Sequence, residues 1–287
     1  MPTSPSCKTA YVLAGGGSLG AVQVGMFEAL TESEVSPDLV VGTSVGAINA
    51  AFVAAQPSPT GARRLGEIWR RVERRDVFPI GPLGALLSLF SARNYLVDPK
   101  PLRALIERHL PYRDLSDAAI PCHLVASDLL TGAEVVLSSG PAIDAMLASA
   151  AIPAVFPPVK LGGRYLVDGG TANNTPISIA VGLGATRIIV LSTGFCCDLE
   201  KPPTNSIAMA LHGLTLLVTR QLVVDLTLFA DAAEHRVVPP LCPLLVTPHD
   251  FSKSAELIER ARNSTRQWLD QGGLDKMVIP PQMRPCA

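Results

Sequence analysis

Ser44 lies two residues after Gly42 and two before Gly46, in the run Asp-Leu-Val-Val-Gly-Thr-Ser-Val-Gly-Ala-Ile-Asn that spans 38–49. A serine hydroxyl is a weak nucleophile until a base takes its proton and the backbone presents it. Gly-x-Ser-x-Gly supplies the presentation. It turns a strand sharply into a helix, a turn so crowded that the residues flanking the serine at two positions' distance must lack a Cβ. The amino end of the helix that follows favours negative charge beside the hydroxyl.

The base must come from elsewhere in the chain. Asp168, followed by Gly169 and Gly170, ends a short apolar run and can hold its carboxylate in a tight loop. A carboxylate with an ordinary pKa of about 3.9 is a poor base at neutral pH. Desolvated and held against the hydroxyl, it can take the proton as attack proceeds. Asp128, also just after an expected strand, is the rival carboxylate. The histidines offer less. His109 belongs to a charged helix, His123 lies inside a strand, and His212 and His235 have no setting for catalysis. His249, followed by Asp250, is the one that fits a Ser–Asp–His triad, but Ser44 after only two strands comes early for the α/β-hydrolase order.

A third constellation, Gly15-Gly16-Gly17-Ser18-Leu19-Gly20, matches the Gly-x-Gly-x-x-Gly dinucleotide fingerprint between a strand and a helix. That use wants an acidic residue about 20 positions on, at the end of the second strand. The second strand ends in Gly42-Thr43-Ser44 instead. The same physics, backbone N–H groups at a helix start, also stabilises an oxyanion. The glycine loop Gly15–Gly20 is therefore expected to form an oxyanion hole beside the nucleophile rather than a cofactor site.

These groups need elements to position them. Thr9–Ala14 reads as a strand, and a helix carrying Val22, Met26, Phe27 and Leu30 follows the glycine loop. The strand Leu39–Val41 and the helix after the elbow complete a βαβα unit, which favours a parallel sheet covered on both faces. Further on, Arg63–Arg75 reads as a charged amphipathic helix with Trp69. The apolar stretch Phe78–Phe90 reads as a cap or lid (78–95) or as a helix packed on the sheet. Asp98-Pro99 opens a helix over Leu102–Leu110. Expected next are a strand at His123–Ser127, a turn at Thr131-Gly132 into Glu134–Leu137, a helix over Ala142–Ala151 and a strand at Tyr165–Val167. A helix opening at Pro176 and a strand at Arg187–Leu191 follow. Ile207–Phe229 is apolar but broken by His212, Arg220, Gln221 and Asp225, so it predicts a buried helix rather than a membrane span. A strand at Leu244–Val246 and an amphipathic helix from Ala255 to Leu269 close the domain. The whole predicts an α/β fold: one domain over 9–275, with tails at 1–8 and 276–287.

The chain's 287 residues carry a net charge of −1, and the sequence pI is about 6.5. No basic footprint for nucleic acid exists in those numbers. At 48% hydrophobic residues and a mean hydropathy of +0.31 the chain lies on the apolar side for a soluble protein. The six cysteines show no CxxC and no zinc spacing, so they are expected to be reduced structural thiols, and no metal is expected. Met1–Lys8 has no signal-peptide pattern, so a cytoplasmic location is the default.

Four motifs in order resemble the patatin-like phospholipase family: Gly15–Gly20; Gly42–Gly46 with Ala47; Ala148-Ser149-Ala150-Ala151-Ile152-Pro153-Ala154-Val155-Phe156-Pro157-Pro158; and Asp168-Gly169-Gly170 followed by Asn173-Asn174-Thr175-Pro176. The match runs from about Ala10 to Ala185. The resemblance implies a three-layer α/β/α sandwich with a mainly parallel central sheet. It implies a Ser–Asp dyad without histidine, Ser44 as nucleophile and Asp168 as base, and an oxyanion hole of backbone N–H groups carried onto Gly16, Gly17 and Ser18. Many members carry arginine where this chain has Leu19, but the acting group there is the backbone. Asn173 and Asn174 would stiffen the dyad loop. The activity implied is lipid acyl-ester hydrolysis without cofactor, on a lipid or acyl-ester substrate; transient contact with a membrane surface is left open. An acyltransferase using the same dyad and a nucleotide-binding protein using Gly15–Gly20 are the rivals.

Overall fold

Alternate residues of the first strand enter opposite apolar layers, and that alternation sets the architecture. Tyr11 and Leu13 join one cluster; Ala10 and Val12 join the other. The protein is represented by a computed structural model, which describes residues 7–79, 95–194, 202, 206–242, 244 and 246–275. Its strands are β1 (Thr9–Leu13), β2 (Leu39–Thr43), β3 (Cys122–Asp128), β4 (Glu134–Leu137), β5 (Val159–Leu161), β6 (Arg164–Asp168), β7 (Arg187–Leu191) and β8 (Glu234–Val237). The helices are α1 (Gly20–Glu32), α2 (Val45–Ala55), α3 (Pro59–Trp69), α4 (Arg74–Val77), α5 (Lys100–His109), α6 (Ala142–Ser149), α7 (Ile177–Gly182), α8 (Ser206–Leu228) and α9 (Ser254–Asp270).

The strands form a single sheet in the order β5-β6-β3-β2-β1-β7-β8, with β4 also on β3. From β3 to β8 the neighbours are parallel; β4, β5 and β6 are attached antiparallel. The cluster holding Tyr11 and Leu13 also takes residues of α1, α2, α3, α5, α6 and α9. The opposite cluster takes Ile177 and Ala180 of α7 with Leu222 and Leu226 of α8. Parallel strands buried on both faces read as the near-continuous apolar runs seen in β1, β2 and β7. This is the expected three-layer α/β/α sandwich.

Several expectations are corrected. The helix expected over 63–75 starts earlier, at Pro59, because Ser58 caps it by accepting from the Gly61 N–H at 3.3 Å. Leu244 and Val246 belong to no strand. The strand beside β7 is instead Glu-His-Arg-Val at 234–237, which escapes a hydrophobicity reading because two of its buried residues are His235 and Arg236. The helix expected at Ile207–Phe229 exists as α8 but is not buried. Leu222 and Leu226 reach the core, whereas Leu214, Leu217 and Leu228 are 57%, 67% and 71% exposed. Among the described residues no helix is long and apolar enough to cross a membrane. Cys242 is disulfide-bonded, against the expectation of reduced thiols; spacing along the chain does not govern pairing through space. Cys7 and Cys122 are free. Residues 80–94 of the expected lid, and nearly all of both expected tails, lie outside the described residues.

Candidate active site

The edges of β3 bring the two ends of the site together. β4 pairs with residues 124–127 of β3, β2 with 122–125 and β6 with 126–128. A strand edge takes one partner at a time, so β2 and β6 must both lie opposite β4, end to end along the same edge of β3. β2 runs toward that junction and stops at Thr43, opposite Val125. β6 runs toward it from the other direction and stops at Asp168, opposite Ala126. The residue after the end of β2 is Ser44. Its Oγ donates to Asp168 Oδ2 at 2.6 Å, across 124 residues of sequence.

The elbow has the strain its glycines imply. Ser44 has φ 57° and ψ −126°, a conformation rare for any residue with a side chain. A Cβ on Gly42 would come within 2.3 Å of the Gly46 carbonyl oxygen, and one on Gly46 within 2.2 Å of the Leu13 carbonyl oxygen. The turn is held from the side by Ser149, at the end of α6. Its Oγ accepts from the Ser44 N–H at 2.9 Å and donates to the Val125 carbonyl. Ser149 was not among the residues expected to act, although it stands within one of the four motifs.

Asp168 is 6% exposed. Its other oxygen, Oδ1, accepts from the Gly170 N–H at 2.7 Å. Burial pushes the carboxyl up to about 6, against the opposing pull of the hydrogen bonds from Ser44 and Gly170. A carboxylate so placed accepts a proton far more readily near neutral pH than one in water. The close approach that holds it needs Gly169, where a Cβ would lie 2.2 Å from the Val125 carbonyl oxygen. Asn173 braces the loop: its Nδ2 donates to Glu134 and Ser178, and its carbonyl accepts from Thr43 Oγ1. Asn174 ties the same loop to the glycine turn, its carbonyl accepting from the Gly15 N–H at 3.1 Å.

The glycine turn lies against the elbow, and a Cβ on Gly15 would be 3.1 Å from that of Ser44. Ser18, expected among the oxyanion donors, is corrected. Its N–H donates to the Pro248 carbonyl at 2.8 Å and its Oγ to the Thr247 carbonyl, so neither faces a reacting group. The Gly16 and Gly17 N–H groups have no acceptor among the described residues, and both glycines line the same cavity mouth as Ser44 and Asp168. Gly17 has φ +61°, and Gly20 lets α1 approach Val45 and Trp69. A buried network fixes this approach: Asn49 donates to the Gly20 carbonyl and to Gln23 Oε1, and accepts from Trp69 Nε1.

The rivals stand apart. His249 lines the mouth, but its ring bonds to Thr247 Oγ1 at 3.4 Å and not to Ser44 or Asp168. Asp128 accepts from the Leu130 and Thr131 N–H groups of its own turn.

A strained serine in a strand-to-helix turn, on a buried carboxylate beside unbonded glycine amides, defines a nucleophile-elbow site on an α/β sandwich. The patatin-like phospholipase model matches residues 11–181, and the chain belongs to that family. It is 29% identical over 214 residues to patatin-like phospholipase domain-containing protein 7 of Rattus norvegicus, covering 74% of this chain and 15% of that one. It is 34% identical over 169 residues to an uncharacterized NTE family protein of Mycobacterium tuberculosis, covering 58% of this chain and 27% of that one. The chain thus spans well under a third of the length of these relatives. Among solved structures it is similar to VipD from Legionella pneumophila, with a TM-score of 0.51 and 15% identity, covering 94% of this chain and 68% of that one. That likeness is one of fold.

Proposed function

We propose that this protein is a serine acyl hydrolase that cleaves carboxylic esters of lipids through a Ser44–Asp168 dyad. The observation that carries the reading is the 2.6 Å hydrogen bond from Ser44 Oγ to a buried Asp168. Ser44 attacks the ester carbonyl while Asp168 takes its proton. The tetrahedral oxyanion is stabilised by the Gly16 and Gly17 N–H groups. Asp168 returns the proton to the leaving alcohol as the C–O bond breaks, leaving an acyl-Ser44 ester. Water, deprotonated by Asp168, then attacks that ester, and the fatty acid leaves as Ser44 recovers its proton.

The test is covalent labelling of the purified protein by a fluorophosphonate, with p-nitrophenyl ester turnover measured in parallel. Both should be present in the wild type and lost in Ser44→Ala. Labelling or turnover that persists in Ser44→Ala removes the assignment. Adding glycerol or lysophospholipid as acceptor and analysing the products separates hydrolysis from acyl transfer.

A further inference from the structure

Beside the open mouth lies a second, narrower and more enclosed cavity of about 70 Å³, lined almost wholly by apolar side chains. It starts at Ser44 and Gly17 and runs beneath α3 and α5. Along α2 the side chains that line it are Val45, Ile48 and Phe52, spaced three and four residues apart and so on one face of the helix. Ile48 and Phe52 remain half-buried inside the apolar layer, as residues facing empty space do. Phe78 and Ile152 line both the mouth and this cavity and stand where the two join. Phe78 is fixed there by stacking on Phe156, ring centroids 5.7 Å apart, and by contact with Phe251 at 6.2 Å.

We propose that α2 is a length gauge for the acyl chain, with Phe52 as its end stop. The inference rests on the serine hydrolase reading above and names the part of the substrate that enters this cavity. Because the nucleophile is the residue that begins α2, the acyl carbon bonded to it starts at a fixed point on the helix. From Ser44 to Phe52 is eight residues, about 12 Å at a rise of ~1.5 Å each, which matches an extended chain of roughly eight to ten carbons. An apolar lining with no charge to meet selects a hydrocarbon chain and leaves the polar alcohol half in the open mouth. Each methylene added up to the stop should raise kcat/KM by about fourfold, the equivalent of ~0.8 kcal/mol; those beyond it gain nothing and must bend the chain or push Phe52 aside.

The experiment is a ladder of p-nitrophenyl esters from acetyl to palmitoyl, with active sites counted by a small fluorophosphonate so that only folded enzyme is compared. For the wild type, kcat/KM should climb to a maximum at octanoyl or decanoyl and fall about tenfold or more by palmitoyl. Phe52→Ala should move the maximum to longer chains, with Phe52→Leu as a milder variant should the alanine protein not fold. Ile48→Phe should lower the octanoyl-to-acetyl ratio by about tenfold or more, and Ile48→Val should restore it. A wild-type profile that is flat or peaks at palmitoyl, or one that neither variant changes while acetyl ester is still turned over, overturns the gauge alone. A wild-type protein that is neither labelled nor active on any ester overturns the gauge together with the hydrolase reading.

Discussion

Asp168→Asn should make the protein more stable and, on the reading above, inactive. In the fold the carboxyl titrates at about 6 because burial opposes its ionisation. In an unfolded chain it titrates near 3.9. Between those two values the folded state holds a proton that the unfolded state has lost. Folding is therefore favoured most at low pH, and that contribution is lost as pH rises through the folded value. The difference corresponds to about 3 kcal/mol at pH 7 and above. Asparagine keeps an acceptor for the Gly170 N–H without carrying charge, so it escapes this cost. Wild type and variant should unfold alike near pH 4, contributions from other groups being common to both. By pH 7 the variant should be ahead, by about 6 °C in Tm for a domain of this size. Thermal or urea unfolding at four pH values between 4 and 8 measures this directly. Ester turnover should fall by about 10² to 10⁴ in the variant, and wild-type kcat/KM should rise about tenfold per pH unit up to about 6 before levelling. A variant less stable than wild type at pH 8, or a stability difference constant from pH 4 to 8, would refute the claim that desolvation governs this carboxyl.

Two more outcomes test the frame around the dyad. Ser149→Ala leaves the Ser44 N–H and the Val125 carbonyl without their shared partner, and should cost about 1–3 kcal/mol by denaturant unfolding, with Ser149→Thr recovering part of it. Gly46→Ala sets a methyl 2.2 Å from the Leu13 carbonyl oxygen, contact with backbone that cannot rotate away; a loss of about 2 kcal/mol or more is expected, together with loss of fluorophosphonate labelling.

The parts of the site that depend on steric exclusion were legible in the sequence. Gly42, Gly46 and Gly169 are glycines because backbone occupies the space of a Cβ, that of the turn itself at Gly42 and of neighbouring strands at Gly46 and Gly169, and Gly42 and Gly46 announce themselves by their spacing around Ser44. The sandwich was legible too, since β1, β2 and β7 are apolar on both faces. What could not be read depends on partners chosen through space. Nothing local distinguishes Ser18, whose amide goes to Pro248 more than two hundred residues away, from Gly16 and Gly17 beside it. Ser149 looks like any helix-terminal serine until α6 packs against β3. Strand β8 hides because Arg236 finds carbonyls of Leu274 and His235 to bond, which allows a charged residue in a buried strand. Hydropathy alone could not tell that, among the described side chains of α8, Leu222 and Leu226 are the ones fully buried in the core.

The end-to-end arrangement of β2 and β6 makes β3 a splint. Nucleophile and base arrive from opposite directions, and their separation is set by rungs of one hydrogen-bond ladder rather than by any loop. A slip of β6 by one residue along that splint would carry the carboxylate about 3.3 Å away and turn it to the other face of the sheet. The gap between hydroxyl and carboxylate is thereby quantised. A drift in the site must begin with broken pairing in the sheet itself.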